Sequence, residues 1–385
     1  MKELSIIGYY GYNNLGDDIF LYLILKYIVP ILYSSEVKIN ITVSKRCYLP
    51  IEILNIIKYN KKISIREINT NKNRFLRYFD ILRTDTSKFI LQGGGTFIFQ
   101  QPNVQSIMRK KYWLKKLSSI FCRESIAIGI GIDPIIGSIV RKQAKYILNK
   151  FNFIIFRDPN SFQNAIDIGF NSLKTKSIIF PDLAYMLFSD AQFNKIIKRK
   201  NAYNRSNKKY IGVNFATYEK CNLERIIEEV VKLVKYFRNN DIEPILINVQ
   251  PNKYSQEYYI HSLIKKRISD IIEISYNNSI FEFLMQLTKL NVIIGSKLHL
   301  LICSHMLDIP MIGLSYQDKV SYFMKSINRK KYLIDINKFS VFNILKILEK
   351  VDFTILTDPK KENFKLKKTF KEIKEIRKNK IINMD

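Results

Sequence analysis

The tetrapeptide Ser296-Lys297-Leu298-His299 follows the apolar run Asn291-Val-Ile-Ile-Gly295. If a helix starts there, a cation, the free N–H groups of a first turn and an imidazole converge, a combination that holds an anion and moves a proton near neutral pH. A histidine that merely caps or packs at a helix start satisfies the same spacing. Two more strand-like runs end in charge. Phe153–Phe156 leads into Arg157-Asp158-Pro-Asn-Ser161, and Ser177–Phe180 leads into Pro181-Asp182. Arg157-Asp158 shares the strand-end position of these clusters, and reads equally as a helix N-cap beside a surface arginine. Asp182 shares this strand-end position, or only terminates a strand.

The loop Gly8-Tyr-Tyr-Gly11-Tyr-Asn-Asn14-Leu-Gly16-Asp17-Asp18 is not a GxGxxG fingerprint. Gly11 and Gly16 have P-loop spacing, but Asp17-Asp18 stand where a P-loop needs Lys and a hydroxyl, which excludes an ATPase of that type. Two carboxylates at a helix start favour the macrodipole as capping groups, and one remains available as a base or for a substrate hydroxyl. The triplet Gly93-Gly94-Gly95 suggests a loop shaped around a ligand.

No metal or cofactor site is expected. His261 sits in a charged helical segment and should be solvated, and His305, six residues past His299, points to another face. The four cysteines are far apart and form no CxxC, which favours a reducing compartment.

Short apolar runs alternating with helical-period segments must position these groups, the signature of βα units and a parallel sheet. Candidate strands are Leu4–Ile7, Val37–Val43, Phe89–Leu91, Ser125–Ile130, Phe153–Phe156 and Ser177–Phe180, then Tyr210–Val213, Pro244–Asn248, Ile271–Ile274, Asn291–Ile294 and Pro310–Leu314. The expected organisation is a Rossmann-like domain over 1–197, a polar linker over 198–209, a second Rossmann-like domain over 210–358 and a basic helix over 359–385. Ligands in such sheets bind at the carboxyl ends of the strands, where these motifs fall.

With 385 residues and 47% hydrophobic content the chain has material for two domains, which excludes disorder and disulfide scaffolds. The N-terminus lacks a signal-peptide pattern, and Ile19–Tyr33, broken by Lys26 and Pro30, is too short for a span and is expected as a buried helix. The 63 Lys+Arg against 34 Asp+Glu give +29, yet no RNP, KH or zinc-finger pattern accompanies that charge, so nucleic-acid binding is disfavoured.

In their order, these pieces resemble the polysaccharide pyruvyl transferase family. The matching segments are Gly8–Asp17 with Asn14-x-Gly16-Asp17, Leu-Gln-Gly-Gly-Gly-Thr96, Ile-Gly129-Ile-Gly131-Ile-Asp-Pro134, Phe-Arg157-Asp158-Pro-Asn-Ser161, Pro181-Asp182, Ser296–His299, and Pro310 through Lys319. The resemblance implies an α/β fold of two Rossmann-like domains in a GT-B-like arrangement with an interdomain cleft. It also implies transfer of the enolpyruvyl unit of phosphoenolpyruvate to a sugar in surface polysaccharide synthesis, usually as a pyruvate ketal. Members typically carry Arg where this chain has Lys297, and often an acidic residue where it has Gln100-Gln101. Under the resemblance Arg157, Lys297 and Lys319 are the cations for the donor, and His299 is the acid. Asp17 or Asp182 is the base or hydroxyl ligand, and Asn14, Gly16, Gly93, Gly94, Gly95, Thr96 and Ser296 line the substrates.

A GT-B-type glycosyltransferase using a nucleotide-sugar donor fits the same architecture. The tail from Pro359 has ten Lys+Arg against four Asp+Glu, with Leu366, Phe370, Ile373 and Ile376 at helical spacing. It reads as an ordinary packed helix or as one that leans on anionic lipid near a lipid-linked acceptor. The expected location is cytoplasmic, with peripheral attachment to the inner face of the membrane in the second case.

Overall fold

The computed structural model describes residues 3–33, 37–67, 89–93, 96–98, 124–135, 137–202, 209–217 and 222–350, together with 359–361, 363, 368, 370–372, 374 and 375. Gly94, Gly95 and Gln100-Gln101 lie outside the described residues. Two compact units emerge, one of Met1–Tyr12, Gly16–Met186 and Phe364–Asp385, the other of Asn13–Leu15 and Leu187–Asn363.

The first unit is built on strands β1 (Glu3–Ile7), β2 (Lys38–Val43), β3 (Ile63–Glu67), β4 (Phe89–Gly93), β5 (Thr96–Ile98), β6 (Glu124–Ile132), β7 (Phe153–Phe156) and β8 (Lys176–Ile179). Their order is β3-β2-β1-β4-β6-β7-β8, all parallel, with β5 on β6. Ile6 stands beside Ile41 on one side and Leu91 on the other. β6 takes β4 and β5 in succession, Gly93 opposite Ile128 and Thr96 opposite Gly131. Both faces of a parallel sheet are covered, so β6 is buried along almost its whole length.

Helix α1 (Leu15–Leu23) leaves β1 and continues through a π turn, Ile24–Ile28, into α2 (Val29–Leu32). The long apolar stretch is therefore helical and packed inside the unit, as its composition requires. Pro30 has no N–H and would crowd a preceding carbonyl in an uninterrupted α-helix. The wider turn, in which the Val29 N–H donates to Ile24 O, precedes it. Helices α3 (Ile51–Tyr59), α4 (Ser138–Leu148) and α5 (Pro159–Asp167) complete the layers.

In the second unit α6 (Ala191–Ala202) runs through the first residues of the polar passage from Lys198. Strands β9 (Lys209–Asn214), β10 (Ile242–Asn248), β11 (Ile272–Ser275), β12 (Val292–Gly295), β13 (Met311–Ser315) and β14 (Leu333–Asp335) form a parallel sheet ordered β11-β10-β9-β12-β13-β14. That is the doubly wound order, with its switch between β9 and β12. Helices α7 (Leu223–Arg238), α8 (Gln256–Arg267), α9 (Ile280–Leu287), α10 (Leu298–Met306), α11 (Asp318–Ser326) and α12 (Val341–Lys350) flank it. Val230, Leu233, Val234 and Phe237 of α7 are buried in a core shared with Val213, Leu246 and Ile294, each such side chain contributing about 1.5–3 kcal/mol.

Candidate functional site

The first unit presents its motifs at the carboxyl ends of β1, β4, β6, β7 and β8. Gly11, at φ +74°, lets the loop after β1 lie on Ser44 and Lys45; a Cβ there would stand 2.7 Å from the Lys45 carbonyl oxygen. The Ser44 N–H donates to Tyr10 O at 2.9 Å. Tyr10 is wholly buried, and its ring occupies the switch between β1 and β4. A Cβ on Gly8 would meet that ring at 2.3 Å, and one on Gly93 would meet the hydroxyl oxygen at 2.5 Å. The close approach that these glycines permit is therefore made by the chain's own tyrosine. Asp17 and Asp18 stand inside the first turn of α1, favourable to its dipole, while Asn14 precedes the helix and Gly16 lies within it. Burial pushes the Tyr10 hydroxyl pKa up, and the charges of Asp17 and Asp18 add to the push.

Arg157 is not at the surface; it is 7% exposed, and its guanidinium lies flat against Gly131, where a Cβ would be 2.4 Å from Cζ. Its Nε faces Asp158 Oδ2 at 3.4 Å. Asp158 is the N-cap of α5, accepting from the Ser161 N–H at 2.6 Å and the Ser161 hydroxyl at 2.9 Å. The Ile132 N–H donates to Ser161 Oγ at 3.0 Å, so the segment after β7 is tied back to the end of β6. Asp182, buried after β8, accepts from the Ala184 N–H at 3.0 Å. Burial pushes its carboxyl up to about 6, with Arg157 and the Ala184 N–H pulling down and Asp158 pushing up. Arg157 and Asp182 thus form one electrostatic group. Thr96 opens β5 beside Gly131.

In the second unit, the turn from β12 into α10 is held by the end of β9. Asn214, fully buried, accepts from the Lys297 N–H at 3.0 Å and the Ser296 N–H at 3.3 Å through the same oxygen. Its amide nitrogen donates to Ile247 O at 2.8 Å and to Glu257 Oε1 at 2.6 Å. Glu257, on α8, has no exposure, also accepts from the Val249 N–H at 2.9 Å, and stands 3.5 Å from Lys297 Nζ. Lys297 Nζ donates to Gln250 Oε1 at 3.1 Å as well. Burial pushes the Glu257 carboxyl up, and Lys297 leads the groups pulling it down. Lys297 is the N-cap residue of α10, which puts half-buried His299 in the first turn, as its spacing predicts. The Ala216 N–H donates to buried Ser296 Oγ. Lys319 is in the first turn of α11, its Nζ 6.0 Å from the Tyr316 ring centre.

One expectation is corrected. His261 is 1% exposed, not solvated, because α8 turns Glu257, Ile260, His261 and Ile264 inward together. Neither ring nitrogen has a hydrogen-bond partner among the described residues. Burial pushes its pKa down to about 4, against the opposing charge of Glu273 and with Lys265 and Lys297 reinforcing the shift. Glu257 and Asn214 were missed by sequence reasoning. Their signal was a carboxylate on the inward stripe of α8 and an amide closing an apolar strand. Among the described residues no three His, Cys, Asp or Glu side chains converge as a metal site.

The profile described as Polysaccharide pyruvyl transferase matches residues 14–318. The chain belongs to this family. The polysaccharide pyruvyl transferase fold is shared with solved proteins of low identity. UDP-N-acetylglucosamine 2-epimerase from Rickettsia bellii is 11% identical at a TM-score of 0.61, over 97% of this chain and 95% of that one. A putative UDP-N-acetylglucosamine 2-epimerase from Listeria monocytogenes is 12% identical at 0.59, over 97% and 90%. Anabaena Alr3699/HepE in complex with UDP-glucose is 12% identical at 0.55, over 98% and 100%. These likenesses support the GT-B-like fold class. No match was found among curated proteins. As a pyruvyl transferase of this family the chain is a transferase of polysaccharide biosynthesis. Among the described residues no helix is long and apolar enough to cross a membrane.

Proposed function

We propose that this transferase moves the enolpyruvyl unit of phosphoenolpyruvate onto a sugar of a surface polysaccharide or its precursor, closing a pyruvate ketal and releasing phosphate. The match over residues 14–318 supports the reading, and the matched span contains Arg157, Asp182 and Ser296–His299, which follow strands of the two sheets. No cofactor enters the reaction; phosphoenolpyruvate is a substrate.

The chemistry needs cations for a phosphate and a carboxylate, an acid for the methylene carbon and a base for the sugar hydroxyls. Protonation of the methylene generates a cationic C2, which one hydroxyl attacks with loss of its proton. Cleavage of the C2–O bond releases phosphate, and a second hydroxyl then closes the ketal, its proton leaving with the phosphate. Arg157, braced on Gly131, offers its fork to the donor, and Lys297 and Lys319 are further cations. His299 serves as the acid. Asp182, titrating near neutrality, and Asp17, in the first turn of α1, receive hydroxyl protons or hold hydroxyls.

Mass spectrometry of glycan acceptors after incubation with phosphoenolpyruvate tests this reading, with one ketal increment and one phosphate per acceptor expected. A His299→Ala variant releasing phosphate at the parental rate removes the acid assignment. A nucleotide-sugar glycosyltransferase is the second reading, favoured by the fold shared with a protein solved with UDP-glucose. Protection against thermal unfolding by nucleotide-sugars and not by phosphoenolpyruvate would support it. The basic tail packs through buried Phe370 and turns exposed lysines such as Lys368 and Lys371 to anionic lipid beside a lipid-linked acceptor, keeping the enzyme at the inner membrane face. Unchanged liposome retention after tail truncation removes that part.

A further inference from the structure

We propose that Glu257 is a positioning residue of the transferase, fixing both the ammonium of Lys297 and the N–H groups that open α10. The proposal rests on the pyruvyl transfer reading. Two routes leave this one carboxylate. Oε2 stands 3.5 Å from Lys297 Nζ. Oε1 accepts from Asn214 Nδ2 at 2.6 Å and, together with Ile247 O at 2.8 Å, sets which way the Asn214 amide faces. With that orientation Asn214 Oδ1 accepts from the N–H groups of Ser296 and Lys297; turned over, an NH2 group would confront two N–H groups. The carboxylate therefore sets a side chain and a stretch of backbone in the four-residue motif that ends at His299, two residues after Lys297.

The charge balance supports the assignment. A carboxylate with no exposure is stable only with a cation and donors around it, and Lys297, Asn214 Nδ2 and the Val249 N–H supply them. Lys297 is correspondingly neutralised by Glu257 and steadied by Gln250. It acts as a placed group rather than a loose hook, and the N–H groups of Ser296 and Lys297, spent on Asn214 Oδ1, fix the turn into α10 rather than meeting the donor.

The test is a double-mutant cycle with Glu257→Gln and Lys297→Met. Gln keeps an oxygen for Asn214 and Val249 and removes the charge. Each single variant should lower kcat/KM for phosphoenolpyruvate by about tenfold or more, and the double variant should fall within about twofold of Lys297→Met alone. Thermal midpoints of all four proteins separate loss of folding from loss of placement. Acylation of Lys297, followed by peptide mass spectrometry, supplies a readout independent of turnover, with a rate in Glu257→Gln about fivefold or more above the parent as the ammonium loses its partner. Losses that multiply, a parental kcat/KM in Glu257→Gln, or equal acylation rates each overturn the proposal. If the parent itself fails to consume phosphoenolpyruvate, the pyruvyl transfer reading fails, and the acylation rates still decide whether Glu257 holds Lys297.

Discussion

The two sheets share a strand order around their switch points but furnish their carboxyl edges differently. In the first unit the crevice between β1 and β4 is filled by Tyr10, and the charged groups sit to one side, where Asp182 is pushed up to about 6. In the second unit the corresponding switch carries Asn214, Glu257, Ser296 and Lys297 in a linked network of opposite charges. One edge holds a carboxyl group that burial pushes above its ordinary range. The other holds an ion pair that aims a helix start.

Removing one partner from either edge should separate these roles. Lys297→Met leaves a buried carboxylate without its cation and should cost about 3–5 kcal/mol. The folded-state pKa of Glu257 is already raised, so the native protein binds its proton more readily than the unfolded chain does. The loss should therefore shrink at acid pH and grow as pH rises, which denaturant unfolding at several pH values would measure. Gly131→Ala drives a methyl into the Arg157 guanidinium. It should lower phosphate release by about a hundredfold, or about 2.7 kcal/mol, with a smaller effect on melting. Gly212→Ala offers the contrast, since its Cβ would press on Leu290 at 2.8 Å in the core. It should cost about 1–3 kcal/mol of stability and spare the kinetics of the folded enzyme. A reversal of that pair would collapse the distinction between edge and core.

Asp182→Asn gives the next effect. The folded pKa of about 6 exceeds the ordinary 3.8, so the carboxyl contributes stability that is present at low pH and lost as pH rises through this window. The variant should lack that loss and gain on the parent by up to about 3 kcal/mol above pH 6, while losing activity. His261→Leu removes two unpartnered ring nitrogens and should stabilise by about 1–2 kcal/mol near neutral pH. The parent's histidine has a depressed folded pKa, so its burial costs most as pH falls from 6.5 toward 4, and the variant should be less acid-sensitive there. Melting curves that run parallel for parent and variant would contradict it.

The central strands were legible because buried parallel strands are continuous apolar runs, and the observed ranges overlap every run assigned. β3 escaped because Ser64, Arg66 and Glu67 alternate polar residues into an edge strand, and β5 and β14 because three residues carry no period. The strand-end motifs were legible as punctuation after apolar runs. Glu257 and His261 were not, since α8 is mostly polar and only the spacing 257, 260, 261, 264 places them on its buried stripe. The tight packing of Gly8 and Gly93 on Tyr10 depends on a side chain folding back across the switch, which no local pattern announces.

The grouping of Phe364–Asp385 with the first unit, where Phe370 is wholly buried, makes that unit discontinuous in the chain. A ribosome delivering this protein from its N-terminus releases the second unit whole before the first has its last piece. The first unit must then wait, incomplete, until Phe370 has emerged, so a truncation after Asn363 takes a buried side chain from the part of the protein made first.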